Sequence, residues 1–145
     1  MTTARKATLE DMQQILAWCK DMHVESRYAN YALDEAKLEE LVARLIQAER
    51  GIVLVTQNGV LVGGVADYFF GPALYAFELL LYVAPEARGS SEAPTLVKAY
   101  LEAARALRAV DVHIENTTGC ETEKVERLFS KLGFQRCGGN FVMEM

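Results

Sequence analysis

A mixed α/β sandwich, with helices on both faces of a mostly antiparallel sheet, is the fold the sequence predicts. Three observations predict it. Two amphipathic helical patterns follow a short extended lead-in. A run of β-rich segments then follows, punctuated by Asn58-Gly59. A further helical pattern separates two apolar strands, "YAFELLLYV" and "VDVHI". Strand, helix, strand within one sheet implies a right-handed crossover and one parallel pair amid antiparallel neighbours. With 145 residues, 51% of them apolar, residues 1–145 form one domain that buries its core without disulfides or metals.

Residues 1–7 read as a short extended lead-in. Thr8, with Asp11 three positions on, starts the first helix as a weaker form of the capping box. Leu9, Met12, Ile15, Leu16, Cys19 and Met22 mark its apolar face. Asp34 is a good N-cap for the second helix, whose face is Leu38, Leu41, Val42, Leu45 and Ile46, and Gly51 ends it. "IVLVTQNGVLVGGVADYFF" reads as two strands joined by Asn58-Gly59, a strong hairpin signal. Gly71-Pro72 breaks the chain, and the nearly all-apolar "YAFELLLYV" is then a central strand. Leu96, Val97, Tyr100, Leu101, Ala104 and Leu107 define the third helix. Val125, Leu128, Phe129 and Leu132 define the fourth, stopped by Gly133. "FQRCGGNFVMEM" closes the chain as a hairpin turning at Gly138-Gly139. The predicted order is β-α-α-β-β-β-α-β-α-β-β.

A net charge of −5 without a Lys/Arg run argues against nucleic acid as a partner. No stretch approaches the roughly 18 apolar residues of a membrane span. "MTTARKATLEDMQQ" has no apolar h-region, and three scattered cysteines (Cys19, Cys120, Cys137) fit a reducing cytosol, so a cytoplasmic location is expected. His23 and His113 have no partner at ligand spacing, so no metal is expected. Trp18 reads as packing. Ser90 and Ser91 lack the Gly-x-Ser-x-Gly elbow and a matching His, which argues against a hydrolase.

The chemistry concentrates where "LLLYV" runs into "APEARGSSEAP". A helix that starts directly from a small, polar, Arg-bearing loop offers backbone N–H groups and a countercharge to an anion. A plain strand-to-helix turn is the other reading. "VAPEARGSSEAPTLV", "RLFSKLGF" and the two helices ahead of the meander together resemble the GCN5-related N-acetyltransferase (GNAT) family over essentially the whole chain. The likeness is greatest to its short bacterial and phage-encoded members. The resemblance implies an acetyl-CoA-dependent N-acetyltransferase that acts on a primary amine, small molecule or peptide, by direct attack. It implies acetyl-CoA as co-substrate, with pyrophosphate on Arg88, Gly89, Ser90, Ser91, Glu92 and Ala93. It also implies pantetheine along Leu80, Leu81, Tyr82 and Val83, like an added strand.

This chain departs from the family at several of those positions. Ser91 stands where the family has its middle Gly, and Glu92 puts a negative charge that must point away from the phosphates. Pro94 removes one N–H from the cradle. Phe129 replaces the Tyr that commonly protonates the thiolate, leaving Tyr82 and Cys120 as alternative donors. Thr122 stands where an Asn is frequent in the family, which implies a hydroxyl on the pantetheine side; a helix N-cap is the favoured reading. Glu78, mid-strand among apolar residues, is the candidate base, because burial raises a carboxylate toward a useful pKa; a solvent-facing or salt-bridged strand residue is the other reading. In "HVESRYANYAL", Glu25, Tyr28 and Tyr31 form either an amine-binding wall or a polar loop packed on the sheet. Strand ends near Asp67 and Tyr68 and the last hairpin belong to the same acceptor side. The family habit and the terminal strands suggest a homodimer. The alternative function is a GNAT-fold binding or regulatory module without turnover; a longer acyl donor is a third.

Overall fold

Strands β1 (Arg5–Lys6), β2 (Gly51–Val55), β3 (Gly59–Asp67), β4 (Leu74–Val83) and β5 (Asp111–Val112) lie in that order in one sheet. The computed structural model describes residues 2–116, 118 and 121–145. Every neighbouring pair is antiparallel except β4 with β5, which is parallel as the intervening helix requires. Helices α1 (Met12–Glu25), α2 (Glu35–Gln47), α3 (Glu92–Ala106) and α4 (Thr122–Lys131) complete the framework. Among the described residues no helix is long and apolar enough to cross a membrane.

The period of two along each strand divides the core into two layers. On one face Val53, Val55, Val60, Val62 and Tyr82 pack against Ile15, Leu16, Trp18 and Val42 of α1 and α2. On the other, Ile52, Leu54, Leu61 and Val65 pack against Leu96, Tyr100 and Ala104 of α3. Most positions of the α1, α2 and α3 faces read from the sequence are buried or half-buried, but Leu41 of α2 is exposed, α4 buries none of its face, and Leu9 is half exposed in a single 3₁₀ turn (Leu9–Asp11) ahead of α1. The Thr8 N–H donates to Asp11 Oδ2 at 2.8 Å, and Arg5 forks onto the same carboxylate at 2.8 Å. The Arg5 hydrogen bond holds the Asp11 carboxyl down at about 2.

Asp34 caps α2, its Oδ1 accepting from the Lys37 N–H at 3.0 Å. Asp34→Ala is expected to cost about 1 kcal/mol in a denaturant titration, with the slope unchanged. α4 ends in a Schellman motif: Gly133 adopts φ +95°, and the Gly133 and Phe134 N–H groups donate to Ser130 and Phe129. The ring of Phe134 then closes on that of Phe129, 5.9 Å away.

Two glycines have different duties from those the sequence suggests. α2 ends at Gln47 with an extended Ala48 as its C-cap. Gly51 instead opens β2, where an added Cβ would lie 1.7 Å from the Leu45 carbonyl oxygen. The hairpin forms where expected, but Val55 pairs with Val60 and the Thr56 N–H donates to Gly59, so Gln57 and Asn58 make the turn. Gly59 is the first residue of β3, and its bare Cα lets the Tyr82 carbonyl approach to within 2.8 Å of where a Cβ would be.

The terminal hairpin does not form. Residues 135–145 carry no strand and are exposed, with Phe141 at 99%. A strand needs a ladder to join. The edge strand β5 pairs with β4 over only two residues, so it offers "NFVMEM" little regular edge.

Candidate active site

β4 builds the site by carrying one residue too many. Val62 pairs with Leu80 and Gly63 with Glu78, which leaves Leu79 as a bulge with its side chain 54% exposed. The bulge reverses the alternation. Leu74 and Ala76 before it, and Leu81 and Val83 after it, all face α3, while Leu80 and Tyr82 face α1 and α2. Gly63 permits this: a Cβ there would lie 2.2 Å from the Phe77 carbonyl oxygen.

β4 and β5 part just before the bulge. Pairing covers Tyr75 with Asp111 and Ala76 with Val112, and the His113 N–H still reaches the Ala76 carbonyl at 2.9 Å. Beyond that, the Glu115 N–H meets the Glu78 side chain rather than the β4 backbone, at 3.2 Å. A cavity of about 630 Å³ opens at this divergence. It is lined by Glu78 to Val83 of β4, by Glu25 and Tyr28 beside α1, by Arg88, and by Val125 and Phe129 of α4.

Glu78 is half-buried at the inner end of this cavity. Burial pushes its carboxyl up to about 7; the Glu115 N–H opposes that rise and the charge of Glu115 adds to it. Behind it stands Tyr100, fully buried, donating from its hydroxyl to the His113 carbonyl at 2.8 Å. Burial and the charge of Glu78 push the Tyr100 phenol up. The sequence places Tyr100 only in the apolar stripe of the third helix, and Glu115 nowhere in the site. A tyrosine in the middle of a buried helical stripe was the available signal, because a buried hydroxyl needs a partner. Nothing in "HIEN" marked Glu115, whose contribution is a backbone N–H.

The loop after β4 runs through a 3₁₀ turn (Pro85–Ala87) to Gly89, at φ +83°, and into α3. Arg88 points back over the cavity, its Nε donating to the Val83 carbonyl at 2.9 Å and Nη2 to Glu25 Oε2 at 2.7 Å. Its guanidinium lies 5.4 Å from the centre of the Tyr82 ring. The Ser90 hydroxyl accepts from the Glu92 N–H at 3.3 Å, and Ser91 donates to the Thr2 hydroxyl at 2.7 Å. The Glu92 side chain turns inward, as its charge required. It is 5% exposed, and its Oε1 accepts from the Asn58 amide at 3.2 Å. Its Oε2 has no hydrogen-bond partner among the described residues, and the first-turn dipole of α3 favours the negative charge.

The sequence candidates thus divide. Glu78, Leu80, Leu81, Tyr82, Val83, Arg88, Phe129, Glu25 and Tyr28 meet at one cavity. Gly89 to Ala93 form the adjoining loop and first turn of α3 rather than its lining. Thr122 is the first residue of α4, whose N-cap is Glu121, so it is not a cap; its hydroxyl accepts from the Asn116 amide at 3.4 Å. Tyr31 does not line the cavity: it is 53% exposed, and its carbonyl oxygen lies 2.9 Å from His23 Nε2. Tyr28 lines it, but the Arg27 guanidinium already lies 4.9 Å from its ring centre. Asp67 pairs with Arg50 at the far end of β3 and Tyr68 sits at the β3–β4 tip, both away from the cavity. Cys120 lies outside the described residues.

Comparison with known proteins adds a family. Residues 9–134 match the Acetyltransferase (GNAT) family. No curated protein matches significantly. Among solved structures, a predicted acetyltransferase with acetyl-CoA from Clostridium acetobutylicum aligns with a TM-score of 0.82 at 12% identity, over 99% of this chain and 96% of that one. A transcriptional regulator from Bacillus halodurans aligns at 0.78 and 17% identity over 100% of both chains. An aminoglycoside acetyltransferase from an uncultured soil sample, in complex with sisomicin, aligns at 0.74 and 12% identity, over 99% and 96%.

Proposed function

Because the chain belongs to the GNAT acetyltransferase family, we propose that it transfers an acetyl group from acetyl-CoA to a primary amine by direct attack. The observation that carries this reading is Glu78, held in the cavity beside a strand bulge with its carboxyl pushed up to about 7. A carboxylate so placed is half ionised near neutrality and takes a proton from an ammonium far better than an ordinary one.

The residues present fit acetyl-CoA. The β4 edge that β5 leaves unpaired offers backbone groups to a pantetheine arm at Leu80 to Val83. Arg88 and the N–H groups of Gly89, Ser91 and Ala93 at the start of α3 would hold the phosphates, those of Ser90 and Glu92 being engaged by the Ala87 carbonyl and the Ser90 hydroxyl. When bound, acetyl-CoA supplies an acyl group already activated as a thioester, so the protein's part is to align the amine, take up its proton on Glu78 and exclude water. Glu25, Glu78, Glu115 and Glu121 all line the cavity and favour a cationic acceptor. Structural neighbours include enzymes that acetylate aminoglycosides, and polyamines present the same chemistry.

The test is release of the CoA thiol from acetyl-CoA in the presence of aminoglycosides, polyamines and short peptides, with the acetylated product identified by mass. Amine-dependent release is expected. A well-folded protein that binds acetyl-CoA yet acetylates none of them supports the second reading, a binding module without turnover. Phe129 favours that reading, since it has no proton to give a leaving thiolate.

A further inference from the structure

The family resemblance puts Arg88 on the donor's phosphates, and one of the two readings of "HVESRYANYAL" puts Glu25 on the acceptor's ammonium; the structure joins the two side chains. Arg88 Nη2 donates to Glu25 Oε2 at 2.7 Å across 63 residues of chain. The bond from Nε to the Val83 carbonyl and the Tyr82 ring fix the direction of the guanidinium, so one arm of its fork is filled by a carboxylate. The loop that follows Glu25 is also tied to the opposite wall, where the Arg27 N–H donates to the Thr118 carbonyl at 3.2 Å. The connection between α1 and α2 therefore straps the mouth of the cavity, fastened to Arg88 on one side and Thr118 on the other.

The first fastening is built to yield. The Arg88 and Glu25 side chains are 36% and 33% exposed, and a pair so solvated contributes about 1 kcal/mol or less. A carboxylate and a phosphate compete for the same guanidinium fork, and a pyrophosphate brings more charge and more acceptor oxygens. We propose that Glu25 holds the place of a phosphate oxygen on Arg88 until the donor binds, and is then released to recognise the acceptor's ammonium. This rests on the reading of the cavity as an acetyl-CoA site. Glu25 is then a positioning residue with opposite effects on the two substrates: its charge opposes the first and attracts the second.

Calorimetric titration of coenzyme A into the wild type, Glu25→Gln, Arg88→Met and the double variant tests the exchange. Glu25→Gln is expected to bind coenzyme A about five-fold more tightly, whereas Arg88→Met binds it more weakly. In the Arg88→Met background the Glu25 substitution gains nothing. With a cationic acceptor, Glu25→Gln raises KM more than it lowers kcat. Glu25→Ala is expected to repeat the gain in coenzyme A affinity, which separates the lost charge from an effect of the amide. The exchange is overturned if Arg88→Met weakens binding but Glu25→Gln leaves it unchanged or weaker. If the wild type binds no coenzyme A, the acetyl-CoA reading fails and the exchange fails with it.

Discussion

Glu78→Gln is expected to abolish most of the turnover and to make the protein more stable at alkaline pH. Removing a positioned base costs about 10²- to 10⁴-fold in rate, while coenzyme A binding survives because the substitution leaves the β4 backbone and Arg88 in place. The wild-type rate is expected to rise with pH through an ionisation near 7, the value to which burial pushes Glu78. The stability effect has the opposite sign. A carboxyl raised from 4.5 to about 7 contributes stability that is fully present below its unfolded value and is lost as pH rises through 7. Above that, the folded state carries a desolvated charge that the unfolded chain does not. Glutamine removes the charge and still accepts the Glu115 N–H, so the variant gains roughly 1–3 kcal/mol at pH 8 and little at pH 4. Thermal melts at the two pH values, beside initial rates, read both effects. A variant of undiminished rate removes Glu78 from the role of base, and one less stable than the wild type at pH 8 contradicts the raised carboxyl.

Gly63→Ala is the most damaging small substitution near the site. Its new Cβ would lie 2.2 Å from the Phe77 carbonyl oxygen and 3.2 Å from the Glu78 Cα, backbone atoms that cannot rotate aside. The strands must separate beside the bulge, at an expected cost of about 2–4 kcal/mol. Coenzyme A affinity falls as well, because the bulge sets the course of the unpaired β4 edge. Gly71→Ala is the matched control: nothing lies within 4 Å of its Cβ position, and near-neutral stability is expected. Equal melting temperatures for the two variants would mean that the bulge tolerates a wider strand spacing.

Regular periodicity made much of this fold legible. The 3.6-residue stripes of α1, α2 and α3 mark the faces turned to the core, apart from Leu9 and Leu41, and Gly133 marked the end of α4 because a left-handed residue completes that cap. The bulge was not legible. In "ELLLYV" both faces are apolar, so one extra residue leaves no trace in the pattern. The place of Gly59 at the start of β3 escaped for a related reason: Asn-Gly signals a turn, but here the glycine is needed for close approach by β4. "NFVMEM" has the composition of a strand, yet composition says nothing about whether a paired edge exists to receive it. Of the site, Glu78 and Arg88 were readable because a charge among apolar residues, or in a loop opening a helix, has a chemical reason. The contacts to Glu25, Glu115 and Tyr100 join distant parts of the chain and exist only in the folded form.

Titrating acetyl-CoA into the purified protein by calorimetry, with S-acetylpantetheine as the ligand that lacks the phosphates, tests the central claim most directly. Micromolar binding of acetyl-CoA, lost with S-acetylpantetheine and weakened by Arg88→Met, is predicted. A well-folded protein that binds neither ligand would contradict it, and would mean that Ser91, Glu92 and Pro94 have closed the start of α3 to phosphate.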